Sequence, residues 1–148
     1  MKKLAFLFLF LLIVGLGTAT PIENPAFFNN LGYHLAAEGH EEAAKAAFEQ
    51  ALALDSSYIK ARENLAVLSF QEEWYELAVT HLTYLLTVED RAAWHFDLAQ
   101  NLVAHARFVE TNGMQAVATL QEALTHFDAA GDFPHAAENA AVVRRVLG

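Results

Sequence analysis

Residues 25–58, PAFFNNLGYHLAAEGHEEAAKAAFEQALALDSSY, and residues 59–92, IKARENLAVLSFQEEWYELAVTHLTYLLTVEDRA, are two copies of one pattern 34 residues long. Leu31-Gly32 recurs as Leu65-Ala66, Ala44 as Ala78, Phe48 as Leu82 and Ala51 as Leu85. A fixed period of this length is the mark of stacked helix pairs. One pair cannot bury its own apolar face, so pairs stack on one another and leave a grooved surface. That architecture speaks of binding before catalysis.

From Asn24 onward the apolar residues recur at helical spacing, and no stretch alternates with period two over strand length. The chain is therefore read as all-α, with helices expected over 24–38, 41–54, 58–71, 74–88, 91–110, 114–130 and 132–147. Gly39, Gly113 and Gly131 punctuate them, since glycine takes a left-handed conformation without Cβ strain. Asp55-Ser56-Ser57 and Glu89-Asp90 are expected to cap the helices that follow. Asp132 is expected to cap the last helix, with Pro134 in its first turn. Connections of a few residues make consecutive helices antiparallel.

Phe28, Leu31-Gly32, Gly39, Ala44, Phe48, Ala51-Leu52 and Leu54-Asp55 resemble the signature of the tetratricopeptide repeat family. The resemblance implies a right-handed solenoid of antiparallel helix hairpins. Gly32 and Ala44 are small where the helices of a hairpin approach, Ala51 is small where the next repeat docks, and Phe28, Leu31 and Phe48 fill the space between. Leu31, Ala44, Phe48, Ala51, Leu65, Ala78 and Leu82 are expected to be buried. The second copy departs from the pattern with Glu73 in place of glycine and Asp90 in place of proline. Beyond Asp90 the register breaks: Leu98-Ala99 fits a third first helix, but the next small residue, Ala116, falls five residues late. Either the fifth helix or the turn after it is longer. Residues 93–147 thus form a degenerate repeat and capping helices.

The chain opens Met1-Lys2-Lys3, continues from Leu4 to Gly17 without a polar side chain, and reaches Thr18-Ala19-Thr20-Pro21. A basic start, an apolar run and small residues form a secretory signal, here expected as residues 1–19 with cleavage after Ala19. As a helix, the apolar run reaches about 21 Å, short of the roughly 30 Å hydrocarbon core. A retained N-terminal membrane anchor is the alternative. Either way the repeat domain, residues 20–148, is expected outside the cytoplasm. Without Lys2 and Lys3, seven Lys and Arg remain against eighteen Asp and Glu, a formal charge of −11 that repels nucleic acid. Cysteine is absent, so disulfides and thiolate metal sites are excluded.

The seven histidines invite a metal hypothesis, yet no segment carries the His-Glu-x-x-His spacing or its relatives. Ser56 and Ser57 stand where a cap is wanted, and no glycine-rich phosphate loop is present. No cofactor is expected and the protein is read as a non-enzyme.

What remains is the groove. The family resemblance implies that the first helix of each hairpin lines a concave face holding an extended peptide. On that face would lie Asn29, Asn30, Tyr33, Lys60, Glu63, Asn64, Val67, Gln71, Phe96, Asp97 and Gln100. Asn30 and Asn64, 34 residues apart, resemble the asparagine ladder with which some members grip a peptide main chain. Only Lys60 is basic there, so the groove calls for a neutral or basic segment of a protein partner. Trp74 and Trp94 are read as packing residues. The expected function is a protein-interaction module of the cell envelope or extracellular space. Its alternative is a membrane-anchored structural subunit that docks or spaces other membrane proteins, and self-association stays open.

Overall fold

The computed structural model describes residues 23–148 of the chain. The expected signal segment lies outside the described residues. Within them the fold is all-helical: α1 (Pro25–Ala37), α2 (Glu41–Leu54), α3 (Ile59–Gln71), α4 (Tyr75–Val88), α5 (Ala92–Phe108), α6 (Gly113–Ala129) and α7 (Ala136–Leu147). Each helix packs chiefly on its neighbours in sequence, and α1 also touches α3. This is a stack of hairpins α1–α2, α3–α4 and α5–α6 closed by α7.

The repeat is visible in its turns. Gly39 N–H bonds to Ala36 O and His40 N–H to Leu35 O at 2.8 Å, while one period later Glu73 N–H bonds to Phe70 O and Trp74 N–H to Ser69 O at 2.8 Å. Both turns need a left-handed residue, and they place Gly39 at φ 76° and Glu73 at φ 61°. Glycine accepts that conformation, whereas glutamate holds it against Cβ strain.

Three apolar clusters run through the stack. Ala44, Phe48, Leu65 and Leu68 join the first two hairpins. Ala66, Leu82, Leu85, Trp94, Leu98, Leu102 and Ala123 join the second and third. Ala99, Phe127, Ala140 and Val143 seat α7. Ala44, Phe48, Ala51, Leu65, Ala78 and Leu82 are buried as the pattern requires. Leu31 is not: it is 39% exposed, while its counterpart Leu65 is 0% exposed. Leu65 is covered by α2 of the preceding hairpin, but no described helix precedes α1.

Helix α5 has 17 residues where α1 and α3 have 13, so an added turn of helix accounts for most of the register break. At the end of that turn Glu110 accepts from Thr119 Oγ1 at 2.6 Å, tying the connection to α6. The last helix starts at Ala136, later than the expected 132, because His135 takes a left-handed conformation (φ 65°) immediately before it. Asp132 and Pro134 therefore belong to the preceding turn and not to α7. Asp55 likewise braces its own turn, accepting from Ser57 N–H at 2.9 Å, and Tyr58 holds the cap position of α3.

Candidate functional site

Helices α3 and α5 stand side by side over α4, and the space between them forms a cleft of about 440 Å³. Its walls are Glu63, Ala66, Val67, Phe70 and Gln71 from α3 and Ala93, Trp94, Asp97 and Asn101 from α5, with Leu82 of α4 below. Glu63, Phe70 and Gln71 each sit three or four residues from Val67, and Trp94, Asp97 and Asn101 follow the same spacing, so each set shares one helix face. Val67 is 55% and Phe70 40% exposed, an apolar rim left uncovered by the described residues. A second cleft of about 300 Å³ adjoins it at Phe70 and runs between α5 and α7 past Gln100, Arg107 and Val142.

The polar groups of the first cleft differ in their engagement. Glu63 accepts a hydrogen bond from Trp94 Nε1 at 3.0 Å, and Arg91 Nη1 stands 3.6 Å from the same oxygen. The Arg91 guanidinium also lies 4.3 Å from the Trp94 ring centroid. Glu63 is thus neutralised at the rim. Asp97 has no cation beside it among the described residues, and burial pushes its carboxyl above the usual range. Asn101 is 3% exposed, and its Nδ2 donates to the Asp97 carbonyl at 2.9 Å while its Oδ1 has no partner among the described residues. The cleft therefore pairs an apolar rim with unmatched acceptors inside.

The residues expected on the concave face do not all meet there. Val67 and Gln71, with Glu63 and Asp97, line the first cleft, and Gln100 lines the second. Asn30, Tyr33 and Lys60 are exposed on α1 and α3, outside both. Asn29 was expected exposed and is buried, because its Oδ1 accepts from Asn64 Nδ2 at 2.8 Å across the two hairpins. Its own Nδ2 reaches Asn30 Oδ1 at 3.4 Å. The Asn64 Nδ2 donor is therefore engaged within the fold. Phe96 lines neither cleft and packs on two aromatic rings, 5.8 Å from that of Phe127 and 5.0 Å from that of Phe133.

Phe70, Ala93, Trp94 and Asn101 complete the cleft without having been expected in it. For Asn101 a signal was in the sequence, since the 34-residue step from Val67 lands on it, just as the same step from Glu63 lands on the expected Asp97. Trp94 is a core residue as expected and a wall of the cleft as well.

Several histidines meet one another or carboxylates: His105 stands between Glu76 and Glu110, whereas His81 meets Arg62. His95 Nδ1 meets His126 Nδ1 at 2.7 Å, one ring donating and the other accepting, and His95 Nε2 meets Asp90 at 2.8 Å. Burial and the neighbouring His95 lower the affinity of His126 for a proton. Among the described residues no group of three or more histidines and carboxylates is arranged to hold a metal ion, and no helix is long and apolar enough to cross a membrane.

No protein-family model matches the chain, and no curated protein matches it. Solved structures do. The chain is similar to a thermophilic TPR protein from Thermus thermophilus, with TM-score 0.66 and 21% identity over 84% of this chain, and it spans 66% of that protein's length. It is similar also to PcrH from Pseudomonas aeruginosa, with TM-score 0.50 and 19% identity, covering 90% of this chain and 92% of PcrH. At such identities the likeness establishes the fold, a tetratricopeptide-like array of helix hairpins.

Proposed function

We propose that this chain is a non-catalytic protein-interaction module whose concave face holds an extended segment of a partner protein. The observation that carries the reading is the cleft between α3 and α5, where exposed Val67 and Phe70 stand beside the unmatched acceptors of Asp97 and Asn101. An apolar rim with a few convergent polar groups suits ligand capture. A formal charge of −9 for the whole chain favours a neutral or basic segment over an acidic one. The likeness to TPR structures supports the same reading, because stacked hairpins offer an extended concave surface.

The module works outside the cytoplasm in this proposal, with Lys2-Lys3 and the apolar run 4–17 acting as a cleaved export signal. Intact-mass measurement of the exported protein tests this directly. A mass beginning at Thr20 supports cleavage, and a full-length product that stays with membranes after a carbonate wash supports the anchored alternative.

The interaction itself is tested by replacing Val67 with a photo-crosslinking residue in the producing cell. A discrete cross-linked protein, lost when Phe70→Glu is added and retained when exposed Glu49→Gln is added instead, supports the groove. Cross-linking that ignores Phe70→Glu removes it.

A further inference from the structure

We infer that the cleft between α3 and α5 is a socket for one basic side chain, lysine or arginine, of the bound segment. The inference rests on the groove reading above and names the chemistry of its deepest point. Asn101 is the decisive residue. It is 3% exposed, lines the cleft and leaves Oδ1 without a hydrogen-bond partner, although its Nδ2 is satisfied by the Asp97 carbonyl. A buried acceptor without a donor is costly, and such groups in folded proteins call for an explanation.

The missing group must donate hydrogen bonds. One helical turn away on the same face is the Asp97 carboxylate, half-buried and without a cation among the described residues. An incoming ammonium or guanidinium supplies donors and positive charge together, and charge-assisted bonds of this kind are the strong ones. A neutral hydroxyl or amide would serve Asn101 and leave the carboxylate uncompensated. An anion would be repelled by Asp97.

The walls fit the rest of such a side chain. Ala66, Val67, Phe70 and Leu82 give an apolar flank along which an alkyl stem can lie while its head stays polar. At about 440 Å³ the cleft accepts a long side chain with part of its main chain, and not a folded element. Arg91 does not compete for the interior: it is held at the rim by Glu63, Glu89 and the Trp94 ring.

The test uses the full chain, labelled with nitrogen-15, and three probes: the N-acetyl methylamides of lysine, arginine and norleucine. Norleucine keeps the alkyl stem and lacks the ammonium. Expected is a saturable shift of the Trp94 indole and Asn101 side-chain amide signals with lysine or arginine, at least ten-fold stronger than with norleucine. Asp97→Asn, a half-buried site that leaves packing intact, should reduce that preference to within about two-fold. Asn101→Leu should do the same, with its melting curve confirming the fold.

Equal shifts from all three probes overturn the basic socket while leaving an apolar groove in place. Shifts from none of them overturn it too, and the Val67 cross-link then decides separately whether the groove reading stands. A lysine preference that survives Asp97→Asn overturns the assignment of the carboxylate.

Discussion

Asn64 on α3 donates its side-chain N–H to Asn29 Oδ1 on α1 at 2.8 Å, and Asn29 is buried where the two hairpins meet. The pair is a stitch between successive repeats. Asn29→Ala should therefore lower stability by about 1–3 kcal/mol, since it leaves the Asn64 donor without its partner and removes buried contacts. Asn64→Ala should cost somewhat less, because that residue is half-buried. Urea denaturation of both single variants and the double variant yields the coupling. A coupling energy indistinguishable from zero would show that the amides do not brace the repeats.

The close approach inside the first hairpin makes a sharper demand. A Cβ added at Gly32 would fall 2.6 Å from Phe48 Cε1, and the Phe48 ring is buried and cannot swing away. Alanine's better helix propensity, worth about 1 kcal/mol, works in the opposite direction. Overpacking of about 1–3 kcal/mol should win, so Gly32→Ala is expected to lower the melting temperature. In a Phe48→Leu background the penalty should shrink or reverse. A stabilised single variant would mean that the helices part more readily than their packing implies.

Glu73 offers the reverse case. It occupies the turn position that Gly39 fills one repeat earlier, with the same pair of backbone hydrogen bonds and φ 61°. Relief of left-handed strain is worth roughly 1–2 kcal/mol, and the extra freedom of glycine in the unfolded chain takes back about 0.5–1. Glu73→Gly should raise stability by about 0.5–1 kcal/mol, readable in a thermal melt. Gly39→Glu should lower it by a similar amount, and a loss in both variants would refute the shared geometry.

These cases show where the sequence was legible. Small residues at Gly32, Ala44, Ala51 and Ala78 repeat because helix axes can approach only where side chains are short, so period and packing carry the same information. Leu31 broke the rule because burial depends on a preceding hairpin, which a period cannot count. Pro134 misled because a proline suits a helix's first turn and a tight turn alike, and only the left-handed His135 decides between them. At the site, the resemblance to the tetratricopeptide pattern had put Glu63, Val67, Gln71 and Asp97 on the face that lines the cleft. The burial of Asn29 depends on a contact across 35 residues of sequence that no local pattern displays. Phe96 was equally opaque: helical phase alone does not say that Phe127 and Phe133 wait on its other side.

The last prediction concerns acid. His81 on α4 is buried, its Nδ1 accepts from Arg62 Nη1 at 3.3 Å, and its Nε2 has no partner. Arg62 is itself fixed by the Ser56 carbonyl and lies 3.5 Å from the Tyr84 ring centroid, so it cannot withdraw when the imidazole takes a proton. Burial first, and the Arg62 charge second, lower the His81 pKa from 6.5 to about 4. Between those values the unfolded chain holds the proton and the folded chain does not, so stability increases with pH across the window. The contribution is complete above pH 6.5 and is lost as pH falls toward about 4. Its full size is about 3 kcal/mol, at 1.36 kcal/mol for each unit of pKa. His126 is lowered and adds to the same trend, while Asp97 is raised and opposes it at the acid end. Replacement isolates the His81 share. His81→Leu removes the titrating group, fills the space with apolar atoms and leaves Arg62 bonded to Ser56. Unfolding free energies measured from about pH 7 to about pH 4 should fall more steeply in the parent chain than in the variant, with the two curves diverging below pH 6.5. Parallel curves over that range would mean that His81 charges without cost and that the α3–α4 contact opens to let it.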